Sequence, residues 1–166
     1  MVHSPKTGRC CTLALAALLV CGWARAQAGP ACAVVPRSLA AMRGCYRPLL
    51  VFSPGGDDPR LRRQVALLDA AADDMMDRFV LFTPIVPDGR RVTTPLDSPY
   101  TVLDPKEMSA VRAQFHIPTG QFAVLLLDED ARVLLRSAAP LAAARLNQRI
   151  DLLPRRQAEK LRPHAN

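Results

Sequence analysis

The sequence predicts one α/β domain in which helices cover a small central sheet. Residues 49–52 and 122–127 are uninterrupted apolar runs of strand length, which is typical of strands that are buried on both faces. Between them, from Leu61 onward, apolar residues recur at the spacing of one helix face. A strand, a helix and a second strand within about thirty-five residues predict a parallel βαβ unit. These three observations indicate the α/β class.

The first helix is predicted shortly after residues 49–52. Asp58 is a suitable N-cap, and Pro59 suits the first helical position. The inner face consists of apolar residues at helical spacing: Leu61, Val65, Leu68, Ala72 and Met75. Aspartates at positions 73, 74 and 77 would lie near the carboxyl end of this helix, where the helix dipole disfavours them. We therefore expect either that the helix stops early or that basic side chains hold these carboxylates.

The second strand is predicted at residues 79–82, and a proline-rich segment, residues 84–105, follows it. This segment is long for a connection between elements. Its Pro87-Asp88-Gly89 sequence is a turn signal between residues 85–86 and residues 92–93. We expect a short projecting hairpin there, followed by irregular structure.

The second half of the chain predicts a helix, a hairpin and a last helix. Asp104 is expected to cap a helix in which Glu107 reaches back to complete a capping box. Residues 122–127 and 133–135 are expected to pair as an antiparallel hairpin, and the last helix is expected to end at Pro154. The order β-α-β-α-β-β-α, with a parallel unit before an antiparallel hairpin, is the layout of a thioredoxin-like three-layer sandwich.

The first 26 residues are typical of a cleavable secretory signal peptide. Lys6 and Arg9 supply positive charge ahead of the uncharged residues 10–23, and Ala24-Arg25-Ala26 fits the cleavage pattern. The apolar run is shorter than the roughly 20 residues that span a bilayer as a helix. We expect a periplasmic or secreted protein with no stable membrane span after cleavage. A retained membrane anchor is the alternative.

The signal peptide, residues 1–26, precedes three further parts of the chain. Residues 27–46 are expected to form an N-terminal extension, residues 47–154 the thioredoxin-like domain, and residues 155–166 a basic C-terminal tail. Cleavage removes three of the 22 lysines and arginines, so 19 remain against 15 acidic residues and the formal net charge falls from +7 to +4. No basic block with interleaved aromatic residues is present, and nucleic-acid binding is not expected.

Two cysteines, Cys32 and Cys45, remain after cleavage, and both precede the first strand. In an exported chain such a pair predicts a disulfide bond, which would stabilise the fold by about 3 kcal/mol by closing the loop between them. Two independent thiols and a redox-active pair are alternatives that the sequence leaves open.

Two stretches, residues 122–136 and 149–162, resemble the thioredoxin-like family catalogued as domain of unknown function 4174. That family occurs in exported bacterial proteins and in vertebrate extracellular matrix proteins that also carry sushi repeats. The matching positions are Gln64, Arg78, Asp130, Arg136, Ile150, Asp151, Pro154, Arg156 and Glu159. The departures include Phe79, Glu129 and Ala131. The resemblance covers residues 47–161 and implies the fold and an exported location, but no reaction.

The turn after the first strand, residues 53–59, is where thioredoxin-like oxidoreductases carry Cys-x-x-Cys at a helix N-terminus. No cysteine is present here, and Asp57 and Asp58 would disfavour a thiolate. Residues 53–56 are glycine-rich but lack the Gly-Lys-Ser/Thr ending of a phosphate-binding loop. We interpret Pro118, which precedes the third strand, as an ordinary turn proline.

Metal and cofactor chemistry is not expected from the residue types present. After cleavage the histidines are His116 and His164, and the chain has no His-x-x-x-His motif and no closely spaced set of cysteines. A Gly-x-Ser-x-Gly motif, which would indicate a hydrolase, is also missing. The sequence therefore predicts no metal and no cofactor.

Charged positions shared with the family pattern form two candidate sets. The candidate surface for an anionic partner consists of Arg78, Arg136 and Arg156. The candidate ion network, which would hold the last helix and the tail to the sheet, adds Asp130, Asp151 and Glu159 to these arginines. The network is the favoured interpretation because Asp151, Arg156 and Glu159 lie close together around one helix end.

The sequence favours a non-enzymatic domain that binds a protein or an envelope component, as a monomer or weak oligomer. The export signal and the missing cysteines at the corner support this interpretation. One alternative is a thiol oxidoreductase or peroxide-handling enzyme that uses Cys32 and Cys45. Another is a carrier of a small ligand in the groove beside Gly55, Gly56 and Pro118.

Overall fold

A four-stranded sheet lies at the centre of the structure, a computed structural model that describes residue 1, residues 32–87 and residues 92–161. The strands are β1 (Arg47–Phe52), β2 (Val80–Ile85), β3 (Ala123–Leu127) and β4 (Val133–Ser137), in the spatial order β2-β1-β3-β4. β1 pairs with β2 in parallel, and β3 pairs in antiparallel fashion with both β1 and β4. The predicted parallel unit is confirmed, and so is the predicted antiparallel hairpin, which is formed by β3 and β4. Apart from its first residue, the predicted signal peptide lies outside the described residues.

Six helices surround the sheet in the described part of the chain. They are α1 (Leu39–Met42), α2 (Pro59–Asp69), α3 (Ala72–Asp77), α4 (Pro105–Gln114), α5 (Ala143–Ile150) and α6 (Pro154–Lys160). Every residue of β1, β2 and β3 is buried, so both faces of these strands are covered. The layered α/β sandwich is therefore the predicted thioredoxin-like arrangement. α3 contacts both β2 and α5, whereas α4 contacts β2.

The helix predicted after β1 is divided into two. α2 ends at Asp69, and α3 begins at Ala72 after a break at Ala70 and Ala71. Both expectations for the aspartates hold, because the helix stops early and the carboxylate of Asp74 lies 3.2 Å from Arg78.

The second strand begins one residue later than predicted. Phe79 was expected to start it, but this residue has a φ of +52° and its side chain is 50% exposed. A left-handed backbone is unfavourable for a bulky residue and cannot continue a strand. β2 therefore starts at Val80 and extends through Pro84 to Ile85.

The hairpin predicted in the proline-rich segment is wrong. Ile85 belongs to β2, where it pairs with Phe52, and the segment around Val92 is assigned to no strand. The predicted turn at 88–89 lies outside the described residues. Further along, Tyr100 forms a parallel bridge with Phe82 and extends the β2 side of the sheet.

Two predicted features of the later helices are also corrected. Asp104 caps α4 by accepting a hydrogen bond from the Glu107 backbone N–H at 2.8 Å, as predicted. The Glu107 carboxylate does not reach back to that cap, because it accepts from the Leu39 backbone N–H at 3.0 Å and joins α1 to α4. Pro154 follows the end of α5 and starts α6, so much of the predicted basic tail is helical. Residues 162–166 lie outside the described part of the chain.

Candidate functional site

The turn that follows β1, called here the β1 corner (residues 53–58), holds no sulfur atom. Ser53 is fully buried, and its hydroxyl donates to the Gly55 carbonyl at 2.7 Å. Asp58 caps α2 as predicted, accepting from the Arg60 backbone N–H at 2.8 Å. A side-chain hydrogen bond from Arg60 also lowers the pKa of Asp58 below its ordinary value. The Ser53 and Asp58 side chains are therefore committed to holding the turn and starting the helix, whereas Asp57 is exposed.

A buried arginine from α4 lies behind the β1 corner. The Arg112 guanidinium donates to the Ser53 carbonyl at 3.2 Å and to the Ile85 carbonyl at 2.8 Å, at the ends of β1 and β2. It also donates to the Pro118 carbonyl at 2.8 Å and lies 5.4 Å from the centre of the Phe52 ring. Burial lowers the pKa of Arg112. Sequence reasoning missed this residue, because an arginine in the last turn of a helix is ordinary and interacts favourably with the helix dipole.

Pro118 is a turn proline, as the sequence predicted. Its peptide bond is trans, as are all the peptide bonds in the described residues. Its carbonyl accepts from the Gln121 backbone N–H at 3.0 Å, which closes a turn before β3.

Two open grooves flank the β1 corner. The first is lined by Gly56, Asp57, Arg62, Val92 and Thr93. The second is lined by Ser109, Arg112, Ala113, His116, Ile117, Pro118 and Thr119. The sequence predicted one ligand groove beside Gly55, Gly56 and Pro118. In the structure Gly56 lines the first groove and Pro118 lines the second. A small ligand would therefore contact the corner from one side or the other.

The disulfide bond between Cys32 and Cys45 is present, as predicted. Cys45 lies just before the first residue of β1, whereas the β1 corner follows the last. A strand rises about 3.3 Å per residue, so about 20 Å separates the disulfide from the corner. Cys32 is exposed and Cys45 is partly exposed. Neither cysteine residue is buried, but both are remote from the position where the fold usually carries reactive cysteines.

Charged side chains gather at the same end of the sheet as the disulfide. We call this set the charged cluster; it consists of Arg47, Asp77, Arg78, Glu129, Asp151, Arg156 and Glu159. The Arg47 guanidinium, which is fully buried, is paired with Glu129. It also lies 3.0 Å from the Glu159 carboxylate and donates to the Arg78 carbonyl at 2.8 Å. Segments from β1, the β3–β4 turn and α6 therefore meet around one guanidinium.

Arg78 and Asp151 form a second pair within the charged cluster. The Arg78 guanidinium makes two hydrogen bonds to the Asp151 carboxylate, at 3.0 and 3.1 Å. Burial opposes the charged form of Arg78, but Asp151 and the nearby charges of Asp74 and Asp77 outweigh it and raise the arginine's pKa. Hydrogen bonds from Arg78 and then from Lys160 lower the pKa of Asp151.

Arg156 completes the charged cluster from α6. It is 5% exposed and is paired with the Asp77 carboxylate. Its guanidinium also lies 3.5 Å from Asp151 and 3.6 Å from Glu159. Two of the three arginines predicted as anion-binding residues, Arg78 and Arg156, are thus already surrounded by carboxylates.

The other two predicted charged residues lie outside the charged cluster. Asp130 is 3.3 Å from Arg132, and both side chains are largely exposed. Arg136 is exposed on β4 and forms no ion pair with the described residues. Conversely, Arg47 and Glu129 were missed, whereas Asp77 was expected to be held by a basic side chain and is paired with Arg156. The one signal for Arg47 was a charge at the start of an otherwise apolar strand.

The described ranges contain no group of three or more histidine, cysteine, aspartate or glutamate side chains placed to hold a metal ion. In the same part of the chain, no helix has both the length and the apolar character needed to cross a membrane.

Comparison with known proteins identifies similar chains. The family described as "Domain of unknown function (DUF4174)" matches residues 38–159. None of the curated proteins matches the chain.

Several solved structures are similar to the chain. A 2-Cys peroxiredoxin of Plasmodium vivax superimposes with a TM-score of 0.55 and 16% identity, covering 72% of this chain and 84% of its own. Thioredoxin peroxidase I of Plasmodium yoelii superimposes with a TM-score of 0.52 and 18% identity, covering 77% of this chain and 84% of its own. The exposed lipoprotein thioredoxin Etrx1 of Streptococcus pneumoniae superimposes with a TM-score of 0.50 and 12% identity, covering 69% of this chain and 89% of its own. At these identities the likenesses show the thioredoxin-like fold alone.

Proposed function

The chain belongs to the DUF4174 family, a thioredoxin-like domain of unknown function, and we propose that it is an exported, non-catalytic binding domain. The observation that carries this proposal is the state of the β1 corner. Where oxidoreductases of this fold hold a reactive thiolate, this chain has a buried serine whose hydroxyl donates to the Gly55 carbonyl. The nearby Asp58 carboxylate binds Arg60 and caps a helix. Among the described residues, the Ser53 hydroxyl makes its hydrogen bond to a neutral carbonyl, and the Asp58 carboxylate is already paired with Arg60.

Export is the second part of the proposal. The signal peptide, residues 1–26, would direct the chain to the periplasm or the medium, leaving residues 27–46 as an extension held by Cys32 and Cys45. Disulfide bonds persist in oxidising compartments, so this bond supports the same location.

The edge strand β4 is the surface that we assign to a protein partner. Within the described residues β4 pairs on one side only, with β3. Exposed sheet edges accept extended peptide segments, whose main chain adds a strand. Val133 and Arg136 are exposed on β4 and would supply an apolar and a cationic contact. Arg136 thereby keeps the partner-binding role predicted for it, whereas Arg78 and Arg156 serve the ion network with Asp151 and Glu159.

Turnover assays test the non-catalytic part of the proposal. The purified signal-free protein is expected to reduce insulin no faster than dithiothreitol alone, with a thioredoxin as the positive control. It is likewise expected to consume no hydrogen peroxide beyond the buffer rate. Turnover that depends on a side chain of the β1 corner would contradict the proposal.

Photo-crosslinking tests the binding surface. A photoreactive residue at position 133 is expected to give a discrete adduct with envelope extracts. The adduct should be lost with Arg136→Glu and retained with Lys106→Glu, because Lys106 is an exposed cation on α4, which packs on β2 at the opposite edge of the sheet. Equal loss in the two variants, or no discrete adduct, would count against β4 as the binding surface.

A thiol oxidoreductase is the second candidate, favoured by the exposure of the Cys32–Cys45 disulfide. In the reduced pair, one thiolate would attack a substrate disulfide and release one substrate thiol. The other cysteine would then displace the second substrate thiol and restore the Cys32–Cys45 bond. Two electrons pass to the substrate, and dithiothreitol replaces them.

Peroxide would react with the same pair in two steps. The thiolate breaks the O–O bond to give a sulfenic acid and water, and the second thiol forms the disulfide with release of another water. For either substrate this candidate predicts turnover that disappears in Cys45→Ser. Equal rates in the wild type and in Cys45→Ser would exclude it.

A further inference from the structure

Arg112 differs from the other buried arginines in its partners. In the described part of the chain three arginines are at most 8% exposed: Arg47, Arg112 and Arg156. Arg47 and Arg156 are each paired with carboxylates. For Arg112, no carboxylate of the described residues lies within 4.0 Å, the limit for an ion pair. A buried cation without a counter-ion is costly, so this position favours an anion.

The hydrogen bonds of Arg112 leave its charge uncompensated. Nη1 donates to the carbonyls of Ile117 and Pro118, and Nη2 donates to those of Ser53 and Ile85. These acceptors are neutral backbone groups, which satisfy N–H donors but carry no net negative charge. Every bond described for the guanidinium uses one of its two terminal nitrogens, and none is described for Nε–H.

The groove that Arg112 lines has the composition of an anion site. Its other lining residues are Ser109, Ala113, His116, Ile117, Pro118 and Thr119. None of them is acidic, and His116 is an exposed side chain with a ring N–H that can donate a hydrogen bond. The side chains of Ala113, Ile117 and Pro118 supply an apolar wall, while Ser109 and Thr119 are hydroxyl residues.

We propose that this groove, called here the Arg112 groove, binds the carboxylate of a small organic acid or of a peptide. A single guanidinium matches a monoanion, whereas phosphate is usually held by several cations or by a nest of backbone N–H groups. The apolar wall suits the carbon chain that a carboxylate carries and that an inorganic anion lacks. The site is separate from the β4 edge and from the cysteines, so it stands or falls independently of the proposed function.

A matched pair of substitutions at Ser109 tests the Arg112 groove without removing Arg112 from the fold. Ser109 is exposed and lies three residues before Arg112 on α4, a spacing at which an acidic and a basic side chain meet. Ser109→Glu supplies an internal carboxylate, and Ser109→Gln has the same shape without the charge. Both lose the Ser109 hydroxyl bond to the Pro105 carbonyl, so this loss cancels in the comparison.

Titrations followed by NMR, at constant ionic strength, use butyrate and its neutral isostere butyramide. Butyrate is expected to shift the signals of residues that line the groove in the wild type and in Ser109→Gln, and the affinity of Ser109→Gln is the reference for the effect of the charge. In Ser109→Glu the affinity for butyrate should be about tenfold or more below that of Ser109→Gln, because the new carboxylate pairs with the Arg112 guanidinium and competes with butyrate. Butyramide should not bind.

A short peptide with a free or an amidated C-terminus distinguishes the two sources of the carboxylate. Tighter binding of the free peptide than of butyrate indicates a peptide ligand, and the reverse indicates a small acid. The proposal is overturned if butyramide binds as well as butyrate, if the two Ser109 variants bind butyrate equally, or if inorganic phosphate binds more tightly than every carboxylate.

Discussion

Arg47 is paired with Glu129 across 82 positions of sequence, at the point where β1 enters the sheet. The Arg47 side chain is fully buried and the Glu129 side chain is 9% exposed, so neither charge is compensated by water. Glu159 from α6 contacts the same guanidinium. The pair therefore connects the first strand, the β3–β4 turn and the C-terminal helix, and each charge depends on the others being present.

Replacing Arg47 by methionine should lower the free energy of unfolding by about 3–5 kcal/mol, because it leaves the buried Glu129 and the partly buried Glu159 without this cation. Urea denaturation of the two proteins measures the difference. Arg132→Met is the control, since Arg132 pairs with Asp130 at the surface and its loss should cost less than about 1 kcal/mol. Adding Glu129→Gln and Glu159→Gln to Arg47→Met should restore part of the stability. If these two substitutions restore no stability, the loss caused by removing Arg47 does not come from the unpaired carboxylates.

Reducing the Cys32–Cys45 disulfide should lower the free energy of unfolding by about 3 kcal/mol, because the unfolded chain regains the freedom of the closed loop. Denaturant curves with and without a phosphine reductant measure this. The double variant Cys32→Ala, Cys45→Ala should have the same free energy of unfolding with and without reductant, and this should equal the free energy of unfolding of the wild type in reductant. A wild type that is insensitive to reductant would show that the bond does not constrain the unfolded state.

Replacing Gln64 by leucine should cost about 2–4 kcal/mol, because two buried backbone groups lose their partner. Gln64 is fully buried, and its amide donates to the Leu141 carbonyl at 3.0 Å and accepts from the Leu141 N–H at 2.7 Å. Thermal unfolding followed by circular dichroism measures the change. Gln157→Leu, at an exposed position on α6, is the control and should leave the unfolding temperature nearly unchanged. Equal effects of the two substitutions would contradict the structural role of Gln64.

Acidification should weaken the fold through Asp151. Its pKa in the folded protein is below the ordinary value of 3.8, because Arg78 and Lys160 hydrogen-bond the carboxylate. The resulting stabilisation is fully present above pH 3.8 and is lost as the pH falls through the folded value. At neutral pH, Asp151→Asn should be less stable than the wild type by about 0.5–1 kcal/mol, the value of a partly exposed ion pair.

The difference between Asp151→Asn and the wild type should narrow as the pH falls below 3.8, and unfolding curves at a series of pH values measure it. Asp73→Asn, at an exposed position on α3, should follow the wild type throughout. A constant gap between Asp151→Asn and the wild type at every pH would exclude a contribution from the ionised carboxylate.

The secondary structure was predictable wherever a local signal was strong. The apolar run of β1, the Asp58-Pro59 and Asp104-Pro105 helix starts, and the β3–β4 hairpin all lie where the sequence indicated. The errors came at residues where the backbone or the side chain departs from what the local pattern indicated. Phe79 has the apolar character of a strand residue, but its left-handed backbone places it outside β2. Glu107 has capping-box spacing, but its carboxylate binds α1.

The candidate sites were less predictable than the fold. The family pattern drew attention to Arg78, Asp151, Arg156 and Glu159, which do meet in space, but not to the most buried member of their cluster, Arg47. Arg112 carried no sequence signal, because its four carbonyl partners come from three separate parts of the chain.

By itself the sequence determined the α/β class, the order of the four strands, the starts of α2 and α4, and the pair of cysteines that form the disulfide. These features depend on apolar periodicity, on turn and capping chemistry and on residue type, which act over a few neighbouring residues. The tertiary structure alone decided which carboxylate meets which arginine and which arginine is left with none. Ion pairing depends on distance in space and on burial, and charges separated by more than 80 positions leave no periodic trace in a sequence.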